Sequence, residues 1–186
     1  MGSSQTCATN PNDILSRSVK GCIQLGYYPD LANFKNQVVT VDYASRAIVH
    51  LSQQSNLVGQ TFHLAPWSAS TDLAWNDLFE GISRYGYSME KMTYTHWKNR
   101  LNQQCQASQT NALYPLLPFL NEKVYKQELT ILELYENTSD FDCQNTISGL
   151  KGSNISCPVV DMNLIQTYLT DLDLTTNTQT ILSRTA

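Results

Sequence analysis

The sequence predicts an α/β fold with few short strands and several helices, and three observations lead there. Short β-branched or aromatic runs recur at 38–41, 59–64 and 92–94. Each run is followed within a few residues by apolar positions at helical spacing. No internal repeat, low-complexity block or linker divides the chain, so the alternation reads as one α/β unit.

Asn10 and Pro11 open the first helix, since asparagine caps and proline at the first helical position loses no hydrogen bond. Ile14, Leu15, Val19, Cys22 and Ile23 mark its apolar side, and Gly26 ends it. Tyr27, Tyr28, Pro29 and Asp30 read as a turn or loop with two aromatics to pack. Val38, Val39 and Val41 form a short buried strand, after which Asp42 caps a helix carrying Ala44, Ala47, Ile48 and Leu51. Residues 59–64 repeat the strand, residues 65–68 turn, and 71–85 form a helix with Leu73, Leu78, Phe79 and Ile82 inward. A third strand at 92–94 leads to a helix capped by Thr95 and holding Trp97, Leu101 and Cys105. Pro115 and Pro118 force a kink or two short turns in the apolar stretch 111–120. Residues 129–135 are apolar on several sides, 140–156 read as loop, and Pro158 precedes a last helix with Val160, Leu164, Tyr168 and Leu172. Beyond Asp173 a Thr-rich tail frays, so the folded unit is 1–173 and the tail 174–186. Three short strands make a thin sheet, and exposed strand edges want partners.

Composition narrows the function classes. The 186 residues are 41% hydrophobic and 15% charged, with a net charge of -4. That balance offers no basic face to nucleic acid or anionic lipid. No apolar run approaches a bilayer span and no signal peptide opens the chain, which reads as cytoplasmic. The five cysteines are widely spaced with no C-x-x-C pair, as buried thiols are. Two glycosylation sequons, at Asn137 and Asn154, match a pattern that chance produces readily.

The chemistry-bearing motifs are incomplete. Neither a Gly-rich phosphate loop nor a G-x-S-x-G elbow occurs, and His50, His63 and His96 lack metal-ligand spacing. Tyr87 with Lys91 and Tyr94 with Lys98 match Tyr-x-x-x-Lys, a spacing that on one helical face would let lysine assist a tyrosine acid. Both pairs straddle element boundaries and read as packing or surface groups. Asp140 and Asp142 flank Phe141 and read as turn formers. No catalytic or metal-ligating residue is assigned.

Colinear segments nevertheless carry a resemblance. Gly2-Ser3-Ser4-Gln5-Thr6 with Asn10-Pro11-Asn12-Asp13, then Gly26-Tyr27-Tyr28-Pro29-Asp30, Val41-Asp42-Tyr43, Ala47-Ile48-Val49-His50-Leu51-Ser52 and Phe62-His63-Leu64 follow one family in order. Asn111-Ala112-Leu113-Tyr114-Pro115, Phe141-Asp142-Cys143 and Cys157-Pro158 continue it. The chain resembles the thioester reductase domains of nonribosomal peptide and polyketide synthetases, which are extended short-chain dehydrogenases related to aminoadipate and carboxylic acid reductases. The resemblance covers roughly residues 2–172.

It implies the C-terminal, substrate-binding subdomain, lacking the nucleotide-binding Rossmann half where the catalytic Thr, Tyr and Lys are expected. The complete enzyme would use NADPH to release a carrier-bound acyl or peptidyl chain as aldehyde or alcohol. This chain alone is expected to bind no cofactor and to be inactive. Its implied partners are a phosphopantetheinylated carrier protein and the Rossmann half. Gly2, Ser4 and Thr6 fall in a loop that passes near nicotinamide and substrate in the family. Asn10, Asp42 and Tyr43 complete the substrate- or cofactor-proximal set. Cys7 stands where the family has glycine, and Thr40 where proline often precedes Val-Asp. Two rival readings remain: a stand-alone module that docks a carrier through Lys91, Lys98 and Arg100 or completes a separately encoded Rossmann partner, and a non-functional truncated remnant whose strands lack their partner.

Overall fold

The computed structural model describes residues 1–32, 34, 37–66, 73–124, 128–130, 133–134 and 141–172. Helix α1 (Ile14–Leu25) starts where the Asp13 carboxylate accepts from the Ser16 amide at 2.7 Å. It stops where Gly26 turns left-handed at φ 76°, open to glycine without steric cost. Asp13 is therefore the cap. Asn10 instead accepts from the Asn12 amide and folds a turn ahead of the helix.

Tyr27–Asp30, expected as a turn, is strand β1, and it pairs in parallel with β2 (Glu90–Thr93). The Glu90 amide donates to Gly26 O, so by the period of two Gly26, Tyr28 and Asp30 face β2 while Tyr27 and Pro29 face away. On that outer edge Trp97 Nε1 donates to Tyr27 O at 3.2 Å and Trp75 Nε1 donates to Pro29 O at 3.1 Å. Proline costs no ladder bond there, and the two indoles close the edge.

A parallel pair needs a long crossover, and residues 31–89 supply it with α2 (Val41–Ser52) and α3 (Trp75–Arg84). The expected strand at 38–41 is a correction: Thr40, at φ -75° and ψ 148°, is the N-cap of α2, and Gly2 O takes the Val41 amide. The expected strand at 59–64 has no ladder partner among the described residues, although Thr61 and His63 are exposed and Phe62 and Leu64 half-buried in alternation. Of the helix expected at 71–85, residues 71–72 lie outside the described residues, as do residues 67–68 of the turn at 65–68.

Helix α4 (Tyr94–Ala107) follows β2 directly, with Thr93 and not Thr95 before its first residue. Pro115 and Pro118 yield two short turns, a 3-10 turn at Tyr114–Leu116 and α5 (Leu117–Asn121). The stretch expected as loop at 140–156 contains a helix, α6 (Gln144–Gly149), begun where Asp142 accepts the Gln144 amide at 2.8 Å. Helix α7 (Met162–Asp171) is capped by Asp161, which accepts from the Leu164 amide at 2.9 Å. Residues 131, 132 and 135 of the stretch 129–135, Asn137, Asp140 and the tail from 173 lie outside the described residues.

Two apolar clusters result. The larger joins Val19 and Cys22 of α1, Tyr28 of β1, Trp75, Phe79 and Ile82 of α3, Trp97 and Leu101 of α4, and Ile165 and Leu169 of α7. The smaller joins Tyr43, Ala47 and Leu51 of α2 to Leu150 and Cys157.

Candidate functional site

Loop 2–9 folds on itself before it meets the rest of the chain. The Ser3 amide donates to Ala8 O and the Cys7 amide to Ser3 O, each at 3.0 Å, while Ser3 Oγ accepts from the amides of Gln5 and Thr6 at 3.2 Å. A Cβ on buried Gly2 would lie 2.3 Å from Ala8 O, so the closure admits glycine alone. Cys7 is the one non-glycine residue with positive φ among the described residues, at 61°. Glycine, which the resemblance implies at this position, would take such a backbone without the strain that cysteine bears.

Three clamps then fix the loop. Asp42, in the first turn of α2, accepts from the Ser4 amide at 2.7 Å and the Ser4 hydroxyl at 2.6 Å. Gly2 O accepts from the Val41 amide at 3.1 Å and from Tyr168 Oη of α7 at 3.0 Å. Asp171, at the end of α7, accepts from the Thr9 amide and hydroxyl through one oxygen, both at 2.8 Å.

Burial acts first on Asp42 and opposes its charge. The bonds from Ser4, with its own amide and the Thr40 hydroxyl, outweigh that and hold the carboxyl below the usual range. Thr40 Oγ1 is itself buried and makes no hydrogen bond among the described residues, so Ser4 carries the clamp on Asp42. Burial, then the charges of Asp42 and Cys7, push the Tyr168 phenol up to about 12. The Thr9 amide and hydroxyl hold the Asp171 carboxyl below its usual value.

Of the residues singled out from the sequence, Gly2, Ser4 and Asp42 thus converge. Thr6 is exposed on the loop, its hydroxyl accepting the Ala8 amide at 3.5 Å. Asn10 is exposed in the turn before α1. Tyr43 points into the smaller core, where burial and then the nearby Cys157 and Cys143 thiols push its phenol up. Sequence reasoning missed Thr9, Tyr168 and Asp171. Their partners lie more than 160 positions away, and the apolar periodicity of α7 marked Tyr168 as core and nothing more.

The amides of residues 3–9 each donate within the fold, to Ala8 O, Asp42, Ser3 Oγ twice, Ser3 O, Thr6 Oγ1 and Asp171 in turn. The loop therefore presents no nest of free N–H groups to a phosphate. The crevice beside it, about 30 Å³ between Gly2, Val19 and Tyr168, has room for a water. Both Asp42 oxygens are engaged and the Tyr168 proton is committed to Gly2 O. These residues do not fit a dinucleotide or an acid–base pair. They form a stiffened loop that turns Gln5, Thr6 and Ala8 outward.

The Tyr-x-x-x-Lys matches resolve differently. Tyr87 and Lys91 straddle the end of α3 and β2, as expected. Tyr94 and Lys98 do share α4, contrary to expectation, with Lys98 Nζ 5.1 Å from the centre of the Tyr94 ring. The ammonium lies over the ring, however, and burial raises the phenol's pKa. An activated tyrosine needs the reverse. Arg100 lies 4.5 Å over the Tyr27 ring and Lys91 is 3.9 Å from Glu80, so the three cations read as a docking patch already have intrachain partners. Cys22, Cys105, Cys143 and Cys157 are buried and Cys7 is partly exposed. Among the described residues no helix is long and apolar enough to cross a membrane.

No protein-family model matches the chain. It is 36% identical over 180 residues to the aldehyde reductase lnaA of Aspergillus flavus and 35% identical over 176 residues to the non-canonical nonribosomal peptide synthetase FrzA of a Cladobotryum species. Each match takes in 93% of this chain and 17% of the relative. Among solved structures, the terminal R domain of the myxalamid PKS-NRPS pathway superposes with a TM-score of 0.76 at 29% identity, over 92% of this chain and 41% of that one. A thiolation-reductase di-domain from an archaeal nonribosomal peptide synthetase shares the fold, with a TM-score of 0.64 at 15% identity over 92% of this chain and 34% of that one. The class is thus the α/β reductase domain. The chain is a C-terminal part of such a domain, akin to the terminal reductases of nonribosomal peptide synthetases and their aldehyde- and aminoadipate-reductase relatives.

Proposed function

We propose that this chain is the substrate- and carrier-facing part of an NADPH-dependent thioester reductase, which releases a carrier-bound acyl or peptidyl chain as aldehyde or alcohol. The observation that supports the reading is the match of more than nine-tenths of the chain to a nonribosomal peptide synthetase and an aldehyde reductase in sequence, and to a terminal R domain in fold. The carrier is a phosphopantetheinylated protein, a reading supported by the thiolation domain that adjoins the reductase in the archaeal neighbour. Cofactor and catalytic groups belong to the rest of the domain.

What this chain's residues contribute is position. Asp42 and Asp171, on two helices, hold loop 2–9 at both ends, and Gly2 lets it close tightly. Gly2, Ser4, Thr6 and Asp42 are then substrate- or cofactor-proximal by shaping the wall against which the thioester is oriented. Orientation is worth much in such a reaction, since misplacement by about 1 Å can cost roughly a hundredfold in rate. Asn10 and Tyr43 support that wall from the turn before α1 and from the smaller core.

The test joins this chain to the nucleotide-binding part of the lnaA reductase domain, in place of that relative's own C-terminal part, and follows NADPH oxidation with an acyl-phosphopantetheinyl carrier. Turnover is expected, and Asp42→Ala should lower kcat/KM about ten- to a hundredfold while leaving NADPH affinity unchanged. A joined protein that folds and binds NADPH but does not reduce the thioester overturns the proposal.

A further inference from the structure

One face of α7 holds loop 2–9 at both ends. Tyr168 and Asp171 stand three positions apart, so their side chains leave the helix on the same side. Tyr168 Oη donates to Gly2 O at 3.0 Å where the loop starts, and Asp171 accepts from the Thr9 amide and hydroxyl where it ends. The bond from the Ser3 amide to Ala8 O draws those ends together, so α7 grips the base of the loop while Asp42 of α2 grips Ser4.

The two grips refer the loop to different parts of the molecule. Helix α2 belongs to the smaller cluster through Tyr43, Ala47 and Leu51. Helix α7 belongs to the larger through Ile165, Tyr168 and Leu169, and it sits so close on α3 that a Cβ on Gly81 would collide with Met162 Sδ. The references meet at Gly2 O, which accepts from the Val41 amide at the head of α2 and from the Tyr168 hydroxyl. Both lone pairs of that carbonyl are thereby engaged, and each bond fixes one direction. Burial keeps the phenol protonated, so this donor persists at neutral pH.

We infer that Tyr168 is a positioning residue for thioester reduction, acting through Gly2 O to register loop 2–9 against the larger core. This rests on the functional reading above, in which the loop shapes the wall that orients the thioester. The role is separable from folding. Tyr168→Phe removes one oxygen, leaves the ring in its cluster and leaves Gly2 O with the Val41 amide, so the loop stays closed on α2 and loses its fixed distance from α7. Misorientation of the thioester slows the chemical step and leaves binding as it was.

The test uses the joined reductase described above with NADPH and an acyl-phosphopantetheinyl carrier. Tyr168→Phe should lower kcat about tenfold and leave KM for NADPH and for the carrier unchanged. Ile82→Val, which weakens the larger core through α3 and does not touch the loop, should lower the melting temperature and leave kcat unaltered. Asp171→Ala, at an exposed position on the same face of α7, should lower kcat by a smaller factor, again at constant KM. A kcat unchanged by Tyr168→Phe overturns the inference, as does a fall that Ile82→Val reproduces, which would make the effect one of stability. Should Tyr168→Phe not fold, an unchanged kcat in Asp171→Ala overturns it instead. Turnover that survives Tyr168→Phe sinks the positioning role alone, whereas no turnover by a folded, NADPH-binding protein with Tyr168 intact sinks the functional reading itself.

Discussion

Asp42 shows how one carboxylate ties sequence-distant pieces together. Its folded pKa lies below the unfolded value of about 3.9, so its contribution is present above that pH and is lost as pH falls through the folded value. Asp42→Asn should destabilise the chain by about 1–3 kcal/mol near neutrality, with the difference shrinking toward zero in acid, as urea melts at several pH values would report. A pH-independent deficit would mean that the charge is not what holds Ser4. Cys7 makes the opposite prediction. A left-handed residue with a Cβ costs about 1–2 kcal/mol, and glycine returns roughly half of that through the unfolded chain, so Cys7→Gly should stabilise by about 0.5–1 kcal/mol. Equal or lower stability in thermal melts would contradict it. The resemblance implied glycine at Cys7, and of the residues it singled out the structure brings Gly2, Ser4 and Asp42 together. The Asp42 role was misread as a helix cap, because its partner Ser4 lies 38 positions away where no local pattern points.

Helices were legible because their signals are local. Gly26 ends α1, two prolines break 111–120, and apolar spacing marks α2, α3, α4 and α7. Strands were legible in part, because a strand is completed by a distant partner. β-branched residues at 38–41 lost to a helix start once Gly2 O took the Val41 amide, while Pro29 hid a strand whose outer edge is capped by tryptophan. Trp97→Phe keeps the ring but leaves Tyr27 O without its donor, and should cost about 1–3 kcal/mol in denaturant unfolding. A loss below about 0.5 kcal/mol would place Tyr27 O in contact with solvent. Gly21 tests packing against propensity. Alanine gains about 1 kcal/mol inside a helix, but a Cβ here lies 2.5 Å from Leu113 Cγ and 2.7 Å from Asn111 Oδ1. Asn111 also donates to Gly21 O and accepts the Leu113 amide, so relief by movement breaks bonds. Overpacking of about 1–3 kcal/mol together with those bonds should win, making Gly21→Ala net destabilising; a stabilised variant would show that 111–113 yields freely.

Across the whole molecule, the two apolar clusters differ in how firmly they hold. The larger contains Trp75, Phe79, Trp97 and Leu101 with the sheet, while the smaller rests on Tyr43, Ala47, Leu51, Leu150 and Cys157 beside an open apolar groove. Fewer buried contacts mean a lower free energy of local opening, so α2 and α6 should exchange their amides well before α3 and α4, which should exchange only with global unfolding. Loop 2–9 bridges the two regions: it binds α2 through Asp42 and Val41, and α7 through Tyr168 and Asp171. Asp42→Asn should therefore speed exchange in α2 and α6 more than its loss of global stability accounts for, and in α3 and α4 by no more than that loss. Equal acceleration everywhere would make the two clusters one cooperative unit. A selective effect would mean that loop 2–9 is anchored on the softer part of the fold, the part that also carries the apolar groove lined by Leu51, Leu57 and Phe62.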